Sequence, residues 1–304
     1  MKVLVTGGLG FIGSHLVDQY ILYGYDVVIL DNLSTGSLSN LNPDTSLINM
    51  SLLDNTLADC LHKEKPDIIS HQAAQVNVRT SVTNPIYDVE TNLLGTIRLL
   101  QAAGQVGIKK FIFASSGGTV YGQTPEIALP ETFNTKPVSP YGINKLASEF
   151  YVDFYAKQYG FQSIILRYSN VYGSRQNPAS ESGVVSIIKN RLQSGLPPVI
   201  YGDGEQIRDY IHVSDVTAAN ILVSQLDSPK HEIFNVGTGK GTSLNELLAL
   251  FYPFYPDAKP PVYTDAKACD LGFNVLSINK LTSLGWPPQI SLKEGIKQLC
   301  QEHD

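Results

Sequence analysis

The 304-residue chain carries 22 lysine and arginine residues against 28 aspartate and glutamate residues, a formal net charge of −6. This balance excludes a protein that coats nucleic acid, because such binding depends on basic side chains neutralising phosphates. Apolar residues make up 43% and charged residues 16%, a composition typical of a folded globular chain, which excludes a largely disordered one. We therefore expect no nucleic-acid partner, and any anionic ligand must be bound by local groups.

The cysteines and the N-terminus exclude two further classes of protein. Cys60, Cys269 and Cys300 lie far apart and form no C-x-x-C pair, so neither a metal site nor a disulfide framework is expected. Met1 leads directly into a strand-like segment, and no apolar run approaches the roughly 18 residues that span a bilayer. The sequence predicts a cytoplasmic protein without a membrane partner.

The first part of the chain alternates short apolar strands with helices. Helices are predicted at 14–23, 85–106 and 140–159. Strands that are apolar throughout, alternating with helices, indicate a parallel sheet covered on both faces, which is a doubly wound α/β fold. The strands are predicted at 3–5, 25–30, 46–50, 67–70, 109–115 and 163–168.

Beyond Tyr168 the sequence contains more loops, which are rich in proline and glycine. Short extended pieces, such as those at 198–202 and 232–237, separate the helices there. This pattern predicts a smaller mixed α/β lobe, so we divide the chain into 1–168 and 169–304, with some later segments returning to the sheet. The helices of the smaller lobe are predicted at about 183–194, 215–226 and 243–251.

A glycine-rich turn follows the first predicted strand. Gly7, Gly10 and Gly13 have G-x-x-G-x-x-G spacing, which brings backbone N–H groups against a pyrophosphate at the positive end of a helix. Asp31 ends the second strand, where its carboxylate would accept hydrogen bonds from an adenosine ribose and repel a 2′-phosphate. The pattern favours NAD over NADP. The alternative is a plain glycine turn with an N-capping aspartate.

The stretch "SPYGINK" places a tyrosine and a lysine on one helix face. Ser139 is a natural N-cap and Pro140 fits the first helical position, so Tyr141 and Lys145 lie one turn apart. The ammonium, the helix N-terminus and a cationic nicotinamide ring would together lower the phenol pKa towards neutrality, where a general base works best. The alternative is an ordinary surface pair.

Eight motifs in order carry a resemblance to a known family. The chain resembles the extended short-chain dehydrogenases/reductases of the NAD-dependent epimerase/dehydratase family. The resemblance covers nearly all of the sequence and implies a Rossmann-type sheet, NAD as cofactor and a nucleotide-sugar substrate. The motifs are "TGGLGFIGSHL", "DNLSTG", "HQAA", "SSGGTVYG", "SPYGINK", "RYSNVYG", "GDGEQIRDYIHVSDV" and "FNVGTG".

The resemblance assigns roles residue by residue. The implied catalytic residues are Tyr141, Lys145 and Ser116, with Ser115 in reserve for the hydroxyl. The implied cofactor-binding residues are Gly7, Gly10, Phe11, Ile12, Gly13, Asp31, Asn32, Ser51, Leu52, Ala73, Ala74, Asn92, Tyr141 and Lys145. The implied substrate-binding residues are Ser116, Asn170, Arg175, Arg208, Lys267 and Asp270.

Departures from the family pattern reduce the number of reactions that the chain is expected to catalyse. Gly117 stands where many members have the catalytic Ser or Thr, so Ser116 takes that role here. Related dehydratases place Asp-Glu after the hydroxyl residue and related decarboxylases a glutamate, whereas this chain has Gly117-Gly118, which cannot move protons. Lys267 replaces a usual arginine, and Asn274 replaces a tyrosine that limits sugar size in some members, so an N-acetyl group could be admitted.

Three polar residues of the "GDGEQIRDYIHVSDV" motif have simpler interpretations. We expect Asp209 to be a loop hydrogen-bond acceptor, Asp215 a first-turn helix residue and His212 a packed or capping histidine.

The expected activity is therefore that of a 4-epimerase acting on UDP-glucose and UDP-galactose or their N-acetylated equivalents. A glucuronate epimerase, a nucleotide-sugar reductase or dehydratase, and a non-catalytic NAD-binding sensor are the alternatives. The resemblance also implies a homodimer formed through the helices near 85–106 and 141–159.

Overall fold

The computed structural model describes residues 1–178, 183–227, 231–266 and 271–301. The first part alternates strands and helices: β1 Lys2–Thr6, α1 Phe11–Leu22, β2 Asp26–Asp31, β3 Ser46–Asn49, α2 Leu57–Glu64, β4 Ile68–His71, α3 Val78–Thr83, α4 Pro85–Asp88, α5 Gly95–Val106, β5 Lys110–Ser116, α6 Pro140–Tyr159 and β6 Gln162–Tyr168. A π-helical segment, Val89–Leu94, joins α4 to α5.

The second part is built from shorter elements. These are β7 Asn170–Tyr172, α7 Val184–Gln193, β8 Val199–Tyr201, β9 Ile207–His212, α8 Val213–Gln225, β10 His231–Val236, β11 Gly241–Ser243, α9 Leu244–Ala249, β12 Val262–Thr264, β13 Phe273–Asn274, α10 Asn279–Thr282 and α11 Leu292–Gln301. Short 3-10 helices lie at Leu38–Asn40 and Tyr252–Phe254.

Seven parallel strands form the main sheet in the order β10-β6-β5-β4-β1-β2-β3. Neighbouring side chains of β1 enter opposite cores because a strand has a period of two. Val3 and Val5 pack with α1 and α8, and Leu4 packs with α2, α5 and α6. Both faces are covered, so the predicted doubly wound α/β sheet is confirmed.

Two segments after residue 168 return to this sheet. Strand β10 pairs with β6 in parallel, although its sequence was expected to be an extended piece of the smaller lobe. Helix α8 packs against α1 in the same core. A separate core lies among other elements of the second part, with Tyr172, Ile188, Leu247 and Phe251 among its buried members. The division at residue 168 stays a prediction.

Further differences from the predicted elements concern helices. The predicted helix at 85–106 is interrupted by the π-helical segment, and the short helices α2, α3 and α11 were not anticipated. Among the described residues, none of the helices is both long and apolar enough to cross a bilayer.

Candidate active site

The glycine-rich turn between β1 and α1 leaves no room for side chains. Gly7 has φ +67°, and a Cβ there would lie 2.7 Å from Ala73 Cα, while one at Gly13 would lie 2.0 Å from Gly7 O. Gly10 caps α1 without a side-chain hydrogen bond. The first-turn N–H groups of Phe11, Ile12 and Gly13 are therefore not covered by a capping side chain. This geometry fits a pyrophosphate at the helix N-terminus.

Asp31 is held against this turn at the end of β2. Its carboxylate accepts hydrogen bonds from the backbone N–H of Leu9 at 3.0 Å and of Leu33 at 2.8 Å, and the side chain is buried. A carboxylate has about four lone-pair sites, so two can still accept from ribose hydroxyls. The neighbouring Asn32 accepts from Ser34 N in an exposed turn.

The segment after β3 is fixed between β2 and α5. Met50 N donates to Asp31 O at 3.0 Å, and Arg98 donates to the carbonyl of Leu53. Ser51 Oγ accepts from Leu53 N at 3.2 Å, and Leu52 is buried. Ser51 and Leu52 thus lie beyond Asp31 at the same end of the sheet.

His71 anchors the segment that carries Ala73 and Ala74. Its Nδ1 lies 2.7 Å from Thr6 Oγ1 and its Nε2 2.9 Å from Thr96 Oγ1. Burial, reinforced by the charge of Lys145, lowers the pKa of His71 to about 3, so the ring is neutral. Ala73 N donates to the same Thr6 hydroxyl, which holds the loop against Gly7.

Asn92 lies in the π-helical segment with its side chain engaged by the protein. Its Nδ2 donates to Gln75 O and to Asp88 Oδ1, both at 2.9 Å, and its Oδ1 accepts from Gln75 N. Its carbonyl accepts from the hydroxyls of Thr96 and Ser148. The structure therefore gives Asn92 a role in fixing the loop after β4, and its predicted contact with the cofactor stays a prediction.

Tyr141 and Lys145 lie together in the first turns of α6. Ser139 Oγ caps the helix by accepting from Gly142 N at 3.2 Å, and Pro140 follows it. The Lys145 Nζ donates to Ala114 O at 2.8 Å and lies 5.9 Å from the Tyr141 ring centroid. Both side chains are buried. This burial excludes the alternative of an ordinary surface pair.

Burial dominates the electrostatics of this pair. It raises the pKa of Tyr141, the negative charge of Asp88 raises it further, and the hydrogen bond to Ser116 only partly opposes them. The predicted lowering of the phenol pKa includes the charge of a bound nicotinamide ring and stays a prediction for the protein with its cofactor. Burial also lowers the pKa of Lys145 to about 8, against the charges of Asp88 and Glu149.

The two serines at the end of β5 face different partners. Ser116 is hydrogen bonded to Tyr141. Ser115 Oγ instead donates to Glu149 Oε1 at 2.5 Å, where Glu149 also receives two bonds from Arg167. A Cβ at Gly117 would lie 2.6 Å from a methyl carbon of Leu276, so a serine or threonine there would require the Leu276 side chain to shift.

The predicted substrate residues fall into two groups. Asn170 on β7, Arg208 on β9 and Asn274 on β13 share one small sheet, with Asn274 directly beside Arg208. Arg175 instead forms a 2.8 Å ion pair with Asp18 of α1. Its predicted contact with a diphosphate stays a prediction. Lys267 and Asp270 lie outside the described residues.

The predicted structural roles of three polar residues are confirmed. Asp209 accepts from the backbone of Thr238 and Gly239. Asp215 lies in the first turn of α8 and accepts from backbone N–H groups of the loop before α11. His212 caps α8 by accepting from Ser214 N at 3.3 Å.

The sequence analysis did not single out Asp88, Gln75 and Asn144, which lie near Tyr141. Both oxygens of the buried Asp88 accept from side-chain amides, those of Gln75, Asn92 and Asn144. Asn144 lies between Tyr141 and Lys145 in "SPYGINK", and Asp88 lies one turn before Asn92, so helical spacing was the available signal. Among the described residues, no group of three or more His, Cys, Asp or Glu side chains could hold a metal ion.

A glycine-rich dinucleotide turn and a buried tyrosine–lysine pair on a doubly wound sheet define an extended short-chain dehydrogenase/reductase. The family model of the NAD dependent epimerase/dehydratase family matches residues 3–237. The chain belongs to this family.

Known relatives cover the whole chain. The chain is 39% identical to the UDP-glucose 4-epimerase of Mycolicibacterium smegmatis, over 99% of this chain and 98% of that protein. The crystal structure of UDP-glucose 4-epimerase from Thermotoga maritima with UDP-glucose has a TM-score of 0.95 at 42% identity, covering 99% of this chain and 98% of that one. The Thermus thermophilus UDP-glucose 4-epimerase in complex with NAD has a TM-score of 0.94 at 41% identity, with the same coverage.

Proposed function

We propose that the protein is an NAD-dependent nucleotide-sugar 4-epimerase acting on UDP-glucose and UDP-galactose or their N-acetylated equivalents. The observation that carries this proposal is the buried Tyr141, hydrogen bonded to Ser116 and followed by Lys145, with glycines at 117 and 118. This set can move one hydroxyl proton. It contains no additional acid or base at 117 or 118 for eliminating water or carbon dioxide.

The residues around the glycine-rich turn fit NAD. The close approach permitted at Gly7 and Gly13, the uncapped start of α1 and the buried Asp31 suit the pyrophosphate and the adenosine ribose. Bound NAD would accept a hydride from C4 of the sugar and return it to the opposite face. Asn32, Ser51, Leu52, Ala73, Ala74 and Asn92 are proposed to line the rest of the cofactor.

Tyr141 is proposed to take the proton of the sugar O4 and later to return it. Ser116 orients that hydroxyl or relays the proton, because it already shares a hydrogen bond with the phenol. Lys145 gives one of its three N–H donors to Ala114 O, leaving donors to orient the cofactor ribose. Because burial and Asp88 raise the phenol pKa, Tyr141 needs the positive charge of an oxidised nicotinamide nearby to act as a base.

The small sheet of the second part is proposed to hold the nucleotide diphosphate. Arg208 can give a phosphate two parallel N–H bonds, which suits an acidic chain that must bind an anion locally. Asn170 lies on the neighbouring strand. We assign residues 1–168 to the cofactor and 169–304 mainly to the substrate, with Arg175, Lys267 and Asp270 as further candidate contacts.

We also propose a homodimer formed by the π-helical region and α6. Large apolar side chains are exposed on α4, the π-helical segment and α6, which pack together: Ile86 is 67% and Phe150 68% exposed, and Leu94 and Phe154 are also exposed. Exposed apolar side chains grouped on neighbouring helices are typical of an interface between subunits. Light scattering on wild type and Phe150→Glu tests this proposal. We expect the wild type to be a dimer and the variant to dissociate more readily, and a monomeric wild type would refute the proposal. The cytoplasmic location stays a prediction.

The activity is tested by incubating the purified protein with UDP-glucose, UDP-N-acetylglucosamine and the corresponding uronate, and separating C4 epimers chromatographically. We expect conversion of UDP-glucose or UDP-N-acetylglucosamine without net release of NADH. Conversion of the uronate alone, release of NADH or loss of water from the substrate would support the alternative enzymes. If all the sugars are returned unchanged, the epimerase proposal is wrong.

A further inference from the structure

A carboxylate held by side-chain amides is buried beside the catalytic pair. Asp88 ends α4 and is completely buried. Its Oδ1 accepts from Gln75 Nε2 at 2.6 Å and Asn92 Nδ2 at 2.9 Å, and its Oδ2 accepts from Asn144 Nδ2 at 2.6 Å. Three N–H donors directed at two oxygens match an ionised carboxylate, because an ionised carboxylate is acceptor-only.

This arrangement connects two helices at the position of the reaction. Asn144 lies on α6 between Tyr141 and Lys145, so the bond from Asn144 to Asp88 holds the first turns of α6 against the α4 and π-helical region. Asn92 and Gln75 extend the same connection to the loop after β4. A side chain that served packing alone would not need a buried charge at this point.

The charge of Asp88 acts on both catalytic side chains. It favours the protonated form of Tyr141 and the protonated form of Lys145. The elements packed around the pair also bring His71 of β4, which is neutral, and Glu149 one turn further along α6, which is paired with Arg167 of β6. Arg79 of α3, Tyr87 of α4 and Glu90 of the π-helical segment are exposed.

We propose that Asp88 is a positioning residue that, through its amide partners, holds the first turns of α6 and the Tyr141–Lys145 pair against the α4 region and places a buried negative charge beside that pair. The proposal rests on the proposed epimerase function for its catalytic meaning. Its electrostatic content can be measured without turnover. An ionised carboxylate close to a buried ammonium raises the pKa of that ammonium by about one unit or more.

The first test follows Lys145 directly by NMR of protein labelled at the lysine 13Cε, used as purified. The Lys145 signal is assigned by its absence from Lys145→Arg. The wild-type titration midpoint is expected near pH 8, and Asp88→Asn should lower it by about one pH unit. An unchanged midpoint in a folded Asp88→Asn protein would overturn the proposal. Asp88→Ser, which removes the charge but admits a water, gives the same readout should Asp88→Asn fail to fold.

The matched control is Asp215→Asn. Asp215 is equally a buried carboxylate, but it accepts from the backbone N–H groups of Gln289 and Ile290, far along the chain from the catalytic pair. Its neutralisation should lower thermal stability and leave the Lys145 midpoint unmoved. A similar downward shift in Asp215→Asn would mean that the midpoint reports general loosening, and the role given to Asp88 would be lost.

The second test is the pH profile of epimerisation. Removing the Asp88 charge should move the acid limb, which reports ionisation of Tyr141, about one pH unit towards lower pH. Equal loss at every pH with unmoved limbs would make Asp88 a packing residue only and contradict the proposal. If no sugar is epimerised even by wild type, the proposed function fails, while the Lys145 titration still decides what Asp88 does.

Discussion

Ser116, and not its neighbour Ser115, is hydrogen bonded to Tyr141. Ser115 is turned to Glu149, to which it donates a 2.5 Å bond inside the buried Glu149–Arg167 pair. The two adjacent hydroxyls therefore have separable roles, one at the phenol and one in the core.

The serine pair gives a matched comparison. Ser116→Ala should reduce turnover by about 10²-fold, the lower end of what a positioned proton-transfer group contributes, with little change in stability. Ser115→Ala should retain most activity and lower the free energy of unfolding by about 1 to 3 kcal/mol, because a buried acceptor loses a partner. Turnover and urea unfolding of both variants check this. The reverse pattern would transfer the catalytic role to Ser115.

Removing the phenol oxygen should separate binding from chemistry. Tyr141→Phe should still contain NAD but turn over about 10² or more times slower, since the proton of the sugar hydroxyl has no acceptor. Bound dinucleotide is measured after denaturing the protein, and turnover is measured by epimer separation. Near-normal turnover would show that Tyr141 is not the base. Loss of bound NAD would contradict the prediction that the phenol oxygen is not needed for cofactor binding.

Lys145 should make stability depend on pH in a defined direction. Its folded pKa of about 8 lies below the ordinary value of 10.5, so the unfolded chain binds more protons between these values and stability rises with pH there. Compared with Lys145→Met, the wild-type free energy of unfolding should increase between about pH 8 and pH 10. Chemical unfolding across this range measures the difference. A difference that stays constant, or that falls with pH, contradicts the burial assigned to Lys145.

The buried Glu149–Arg167 pair should contribute strongly to the stability of the protein. Both side chains are 4% exposed, and Arg167 also donates to Tyr121, which in turn donates to Asn235. Glu149→Gln should cost about 3 to 5 kcal/mol, because it leaves the Arg167 charge buried without its partner. The exposed Lys157–Asp153 pair on the same helix is the control, and Lys157→Met should cost no more than about 0.5 kcal/mol. Equal costs in urea unfolding would refute the distinction.

Local patterns in the sequence were sufficient to predict most of the main sheet and the position of Tyr141 and Lys145 on one helix face. The strand–glycine–helix order at the N-terminus and the Ser139-Pro140 start of α6 each depend on residues close together in the chain. Which later segment returns to the main sheet was not predicted, because the pairing of β10 with β6 is a contact across more than sixty residues, which periodicity does not record. A short apolar strand looks the same in either sheet.

The direction of the Tyr141 pKa could not be predicted from spacing. The nearby lysine is visible in the sequence, whereas the burial of Tyr141 and the nearby charge of Asp88 depend on how α4 packs against α6. Spacing alone also could not separate Ser116 from Ser115, and the assignment of Ser116 came from the family resemblance, since the Glu149–Arg167 pair that engages Ser115 is assembled from α6 and β6.

The central claim is that Tyr141 moves a proton while the hydrogen on C4 of the sugar leaves and returns without meeting solvent. Its most direct test is to supply a UDP-sugar deuterated at C4 and follow the label by NMR during epimerisation. The account predicts that both C4 epimers retain the deuterium, and that none is lost to water. Loss of the label to solvent during epimerisation would contradict it.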